Sequence, residues 1–441
     1  MTNKQTQDVI TRLLANIGSR KEVEQYLRHY ASVDAPKFAV VKASGAVIEN
    51  GLEALASSLS FLQRVGLVPI VVHGGNVQLD KALAAAGVDA PVVKGGLRRM
   101  TPAALEVARR VLHDTNLRLV EALESLETRA RPFTSGLLEA KKVDTADLGL
   151  VGEVTHVREA AIAQTANAGT LPIVAPLGET SKGQILVVPA DAVARAIALA
   201  VKPHKVVYLN EAGGLLDETG ALRPAVNLAE DYDTLIADPT LGAENRRKLV
   251  EIAALLADLP PTSSVSITSP DHLAKELFTH GGAGTLVRRG ESVHRHDGWG
   301  TVDTERLRAL LEACFGKRLD ASYFAAKTPF RVYLAESYRA TAILTVEDGV
   351  PYLDKFAVTN EAQGEGIGGS IWQSLRRENP KLFWRSRASN PVNGWYAQKA
   401  DGLLKSDYWW VFWCGIRDFG EIERSVQRAL AMPATFHEVA A

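Results

Sequence analysis

Four short runs that are apolar on both faces constrain the first half of the chain: Phe38-Ala39-Val40-Val41, Val68-Pro69-Ile70-Val71-Val72, Leu171-Pro172-Ile173-Val174 and Val206-Val207-Tyr208-Leu209. A strand with one face in water alternates polar and apolar residues, so an unbroken apolar run must be covered on both sides. The intervening stretches Ala54–Val65, Ala103–Leu126 and Ala190–Ala200 carry apolar residues at helical spacing. The alternation predicts an α/β domain over 34–288, an open sheet with helices on both faces. Leu148-Gly149-Leu150-Val151-Gly152-Glu153-Val154 interrupts it and reads as a β-hairpin.

The chain has 441 residues, too many for one hydrophobic core. Its 50 basic and 51 acidic side chains leave a net charge of −1, which gives no electrostatic case for nucleic acid or an anionic membrane as partner. No stretch approaches the roughly 18 apolar residues that cross a bilayer. Cys314 and Cys414 stand apart, outside any metal-ligand spacing, as expected of packed thiols in a reducing cytoplasm. Residues 1–33 read as a helical arm, with Val9, Ile10, Leu13, Leu14 and Ile17 on one stripe that would seal its own domain or a neighbouring subunit. Residues 289–303 turn polar and glycine-rich and read as a linker. His294 and His296 in it lack the carboxylates or thiols of a metal site, so no metal centre is expected.

Residues 304–441 read as a second, α+β domain, opening with a helix over Thr304–Phe315. Tyr352–Val358 is a strand, followed by Gln363-Gly364-Glu365-Gly366-Ile367-Gly368-Gly369 and an apolar helix near Ser370. Glycines at a strand-to-helix turn let backbone N–H groups approach an anion such as a pyrophosphate, which the helix dipole favours. The ~30-residue βαβ unit and later acidic residue of a dinucleotide fold are missing. The next strand, Leu382-Phe383-Trp384-Arg385-Ser386-Arg387, places Arg385 and Arg387 on one face by its period of two. Two such guanidiniums are costly on an apolar strand unless they meet anions. Lys355 adds a third positive charge; the anions are either those of a ligand or the internal carboxylates Asp354, Glu365 and Asp401.

Gln363–Gly368 resembles the pyrophosphate turn of the GNAT acetyltransferases. Together with Leu353-Asp354-Lys355-Phe356, Phe383–Arg387, Asn390-Pro391 and Trp395-Tyr396, it resembles the vertebrate-like N-acetylglutamate synthases, including bacterial forms fused to N-acetylglutamate kinase. The resemblance implies acetyl-CoA held by Phe356, Val358, Gln363, Gly364, Gly366, Gly368 and Gly369. It also implies L-glutamate held by Lys355, Arg385 and Arg387, with Asn390 and Tyr396 lining the pocket. Asn390 before Pro391 is equally a helix cap. A tyrosine near the thioester sulfur can protonate the leaving thiolate, and Tyr396 is that candidate. No Ser, Cys or His is placed as a nucleophile, so direct transfer is expected.

In the first domain, Lys42-Ala43-Ser44-Gly45 and His73-Gly74-Gly75 end apolar strands, and Gly96-Leu97-Arg98 adds a cation after a further glycine pair. Their order resembles the amino acid kinase family. The resemblance implies that Lys42 and Lys248 neutralise a transferring phosphoryl group of ATP with Mg, and that Asp191 orients them. Gly74 and Gly75 would hold phosphate and Arg98 the carboxylate of N-acetylglutamate. A second reading stands beside this one. Glu276-Leu277-Phe278-Thr279 and Gly281–Thr285 resemble, with the N-terminal helix, the arginine-binding segment of regulated members, so the domain is either a kinase or an arginine sensor and scaffold. The family further implies a homo-oligomer, with a tetramer favoured.

Overall fold

The computed structural model describes residues 37–437 apart from 94–96, 145–146, 218, 279–282, 361 and 363–365; of 243, 244 and 278 it describes the backbone alone. The expected arm over 1–33 lies outside the described residues. The chain forms two compact units divided after Arg289, with Asn227–Asp231 grouped with the second.

The first unit is built on an eight-stranded sheet in the order β10-β12-β11-β9-β1-β2-β6-β3. Its strands are β1 (Ala39–Ala43), β2 (Ile70–His73), β3 (Ala130–Phe133), β6 (Leu171–Val174), β9 (Lys205–Leu209), β10 (Ala225–Asn227), β11 (Ser264–Thr268) and β12 (Thr285–Arg288). From β11 to β3 neighbours run parallel, whereas β12 is antiparallel to β11. The four apolar runs fall in the four strands β1, β2, β6 and β9, which are buried throughout except at the partly buried Lys42, as their sequence requires. Helices occupy Leu52–Arg64, Pro102–Glu124 and Ala190–Val201, close to the predicted spans.

The Leu148–Val154 segment is not a self-contained hairpin. β5 (Gly152–Val157) pairs antiparallel with β4 (Leu138–Lys142), in a four-stranded sheet with β7 (Leu177–Glu179) and β8 (Ile185–Val187). Gly149 turns at φ +67° beside the Met100 backbone instead. The pairing partner lies upstream, which a local pattern cannot reveal.

The second unit is a seven-stranded sheet ordered β13-β15-β16-β17-β18-β20-β19. Its strands are β13 (Val293–His296), β15 (Arg331–Ala335), β16 (Ala340–Glu347), β17 (Val350–Val358), β18 (Leu382–Arg387), β19 (Gly402–Lys405) and β20 (Trp409–Cys414); β14 (Arg318–Leu319) and β21 (Phe436–His437) pair separately. Residues 289–303 are therefore no linker throughout: β13 within them pairs with β15 as the edge strand of this sheet. Strand pairing across about forty residues overrides the local polarity. The helix over Thr304–Phe315 forms as expected, N-capped by Asp303, whose carboxylate accepts from the N–H groups of Glu305 and Arg306.

Candidate active sites

β17 and β18 are the parallel pair in an otherwise antiparallel sheet, and they share one registered pair, Tyr352↔Phe383. Beyond it the ladder between them is not continued. Phe356–Val358 and Arg385–Arg387 therefore stand on either side of a gap in the ladder. The helix Ile367–Glu378 starts from Gly366, which sits at φ +80°, a left-handed backbone that favours glycine. A Cβ on Gly368 would meet Val358 Cγ2 at 2.9 Å, so glycine lets the helix start press against β17. The turn's first residues, Gln363 and Gly364, lie outside the described residues. A Cβ on Gly369 would meet nothing within 4 Å.

A β-bulge prepares the opposite side of β17. Ile343 pairs with Lys355 but Leu344 pairs with Leu353, which leaves Asp354 as the extra residue. Leu353 and Phe356 pack with the core under the helix Ile367–Glu378, whereas Asp354 and Lys355 both turn to the other face. There Lys355 Nζ lies 2.7 Å from Asp354 Oδ2, Tyr323 OH donates to the same oxygen at 2.7 Å, and Lys327 Nζ lies 3.4 Å from Oδ1. Burial raises the Asp354 carboxyl, but Lys355 and Lys327 more than reverse this and hold it below its ordinary value. Burial also pushes the Lys355 ammonium down, which Asp354 partly offsets.

The two arginines fall on one face of β18, as the period of two predicts, and that face is the one bearing Lys355. Trp384, just before them in the alternation, packs into the opposite core with Phe412. The Arg385 and Arg387 guanidiniums stack over the same Trp409 ring, at 4.0 and 4.7 Å from its centroid, and Arg387 also covers Tyr408. Arg385 donates to the carbonyls of Ala429, Leu430 and Pro433 at the end of the helix Phe419–Ala431, which fixes its direction. The internal ion pair with Asp354, open from sequence, is made by Lys355, while Asp401 accepts from the Gly415 N–H.

Asn390 donates to Ser386 Oγ at 2.9 Å and accepts from the Val392 N–H at 3.1 Å, so its side chain braces the turn before the helix Asn393–Lys399. Tyr396 on that helix is 6% exposed and packs among Phe356, Trp372, Trp384, Trp395 and Phe412. It lies on the face of β18 opposite the arginines. Burial raises its phenol well above the ordinary range, so it keeps its proton.

In the first unit, Lys42 near the end of β1 and Asp191 in the first turn of the helix Ala190–Val201 form an ion pair at 2.9 Å. Glu251, on the helix Ala243–Asp258, joins them electrostatically. Burial raises its carboxyl and Asp191 adds to this, against Arg247, Lys248 and Lys42. Lys248 is thereby placed near the same group, and Glu251 is a member that sequence reading missed. The strand-end turns also meet: the Gly74 N–H donates to the Ala43 carbonyl at 2.8 Å, and Gly75 caps the helix Asn76–Ala86. His73 is fully buried between the Gly74 carbonyl and Asn116, and burial pushes its imidazole down to about 4, so it is a neutral brace. Arg98 does not stand free. It pairs with Asp80, a partner 18 residues away that no local pattern announces, and donates to the Ala90 carbonyl at 2.6 Å.

These features define a phosphotransferase-type α/β unit followed by an acetyltransferase-type sheet. Residues 37–249 match the amino acid kinase family, and residues 293–431 match the family described as NAT, N-acetyltransferase, of N-acetylglutamate synthase. The chain belongs to the family that joins these two domains, the acetylglutamate kinase and N-acetylglutamate synthase group. It is 47% identical to the acetylglutamate kinase of Xanthomonas campestris over 93% of this chain and 97% of that one. It is 33% identical to the mitochondrial N-acetylglutamate synthase of Homo sapiens over 96% of this chain and 77% of that one. Among solved structures it overlaps N-acetylglutamate synthase from Neisseria gonorrhoeae, complexed with coenzyme A and N-acetyl-glutamate. That overlap covers 89% of this chain and 98% of the other, with a TM-score of 0.65 at 21% identity, a likeness of fold.

Proposed function

We propose that the second unit transfers acetyl from acetyl-CoA to the α-amine of L-glutamate, and that the first phosphorylates the resulting N-acetylglutamate with MgATP, two steps of arginine biosynthesis. One observation carries the acetyl transfer: Lys355, Arg385 and Arg387 share a face beside the β17–β18 gap. Two carboxylates on the acceptor meet that set of cations, each charge-assisted contact contributing about 1.5–3 kcal/mol. The acceptor amine, freed of its proton, attacks the thioester carbonyl directly. A backbone N–H of the Phe356–Val358 strand polarises that carbonyl, and the CoA pyrophosphate rests on the turn ending at Gly366, Gly368 and Gly369. Tyr396 lies on the other face, so thioester and acceptor meet through the gap. Its retained proton goes to the departing thiolate.

For the kinase step, Lys42 and Lys248 neutralise charge on the transferring phosphoryl group, Asp191 orients Lys42, and Gly75 at the start of the helix Asn76–Ala86 offers its backbone N–H to phosphate while Gly74 ties the turn to Ala43. Arg98 takes the N-acetylglutamate carboxylate by exchanging it for Asp80. Purified protein supplied with acetyl-CoA and glutamate should release thiol, and with ATP, Mg and N-acetylglutamate should release ADP. Without thiol release the synthase reading falls.

A regulatory reading of the first unit is favoured by a separate observation. Glu276 is 1% exposed and accepts from Ser266 Oγ at 2.7 Å and the Ala283 N–H at 2.8 Å, while Lys205 donates to its backbone carbonyl. This buried acid beside a buried lysine suits a guanidinium and carboxylate effector such as arginine. Thiol release without ADP release would leave the unit as an arginine sensor. Neither Cys314 nor Cys414 is joined in a disulfide, which suits the cytoplasm, and a homo-oligomer, a tetramer above all, is part of the same proposal, to be read by light scattering.

A further inference from the structure

The buried charges around Asp354 do not balance. Lys355, Lys327 and Asp354 lie together, and the Arg385 guanidinium acts on both Lys355 and Asp354. Of the other charges near this cluster, Glu347 and Arg428 are paired with each other, Arg428 Nε donating to Glu347 at 3.0 Å, and Arg387 is exposed, stacked over Tyr408 and Trp409. Three cations against one carboxylate leave an excess of two positive charges, of which the half-buried Arg385 rests on backbone carbonyls and Lys327 stands mostly out of water. Such an excess is expensive unless an anion arrives to meet it. Glutamate whose amine has lost its proton carries two negative charges, the complement of that excess.

Lys327 has no place in the motifs that carry the family resemblance. Its position is nevertheless fixed. It ends the short helix Tyr323–Ala326, its N–H donates to the Tyr323 carbonyl at 2.9 Å, and its carbonyl accepts from Trp299 Nε1 at 2.8 Å. The side chain is 19% exposed, and its Nζ stands 3.4 Å from Asp354, a longer contact than the 2.7 Å that Lys355 makes. Asp354 is thus taken up mainly by Lys355, and Lys327 is the looser of the two ammoniums. We propose that Lys327 is a specificity-determining residue that meets one carboxylate of the acceptor and thereby selects a dicarboxylic amino acid. This rests on the acetyl-transfer reading above.

The test compares glutamate with glutamine, which lacks the second charge, as acceptors for the full chain. Lys327→Met should raise the glutamate KM about tenfold or more and leave kcat and the acetyl-CoA KM in place. The preference for glutamate over glutamine should shrink by the same factor, and Lys327→Arg should restore it. Lys327→Gln carries the same test should the methionine variant not fold. An unchanged glutamate KM, or an equal loss with both acceptors, overturns the proposal, the latter because a purely structural role would not distinguish the two. Wild-type protein that acetylates neither acceptor overturns the parent reading as well, which separates the two failures.

Discussion

Asp354 and Lys355 are consecutive on one strand, yet their carboxylate and ammonium meet at 2.7 Å on the same face of the sheet. In a regular strand successive side chains point to opposite faces. The bulge at Asp354 removes that constraint and buries an ion pair beside the proposed acceptor site.

Asp354→Asn should be severe for stability. Removing one partner leaves Lys355 and Lys327 buried without their counter-charge, at a cost of about 3–5 kcal/mol. Denaturant unfolding of the second unit's transition measures this directly. A shift under about 1 kcal/mol would mean that water reaches the cluster.

Tyr396→Phe should lower kcat for acetyl transfer by about 10²–10⁴-fold with little change in either KM. Because burial raises the phenol, no loss of rate from its ionisation should appear below pH 10. A phenylalanine variant with full kcat would return Tyr396 to the role of a core aromatic.

Lys42→Met should cut ADP release by at least about 10²-fold, since a positioned charge on the phosphoryl group is lost. Thiol release should be unaffected, and Arg385→Ala should show the reverse pattern. If Lys42→Met leaves ADP release intact, the Lys42–Asp191 pair is structural.

Lys205 predicts a pH dependence of folding. Burial lowers its ammonium to about 8, so between pH 8 and the ordinary lysine value near ~10.4 the unfolded chain binds more protons than the folded one. Stability attributable to Lys205 should therefore rise with pH across that window. The difference in unfolding free energy between wild type and Lys205→Met isolates it; a difference that stays flat from pH 8 to 10 would contradict the burial effect.

Much of this molecule was legible from spacing. The doubly apolar runs determined the central strands of the first unit, because only a strand covered on both faces tolerates them. The period of two in Leu382–Arg387 determined that Arg385 and Arg387 share a face, and the glycines after Val358 marked a strand-to-helix turn. Tertiary structure alone decided the rest. That β13 joins the second sheet, that Arg98 meets Asp80, that Glu251 sits by Asp191, and that Tyr323 and Lys327 close around Asp354 each depend on partners distant in sequence. The bulge at Asp354 depends on register with β16. In a regular strand local sequence encodes which face a side chain takes; where a bulge reverses it, and which charge awaits the side chain there, are set by long-range pairing and packing, and only the folded chain supplies that.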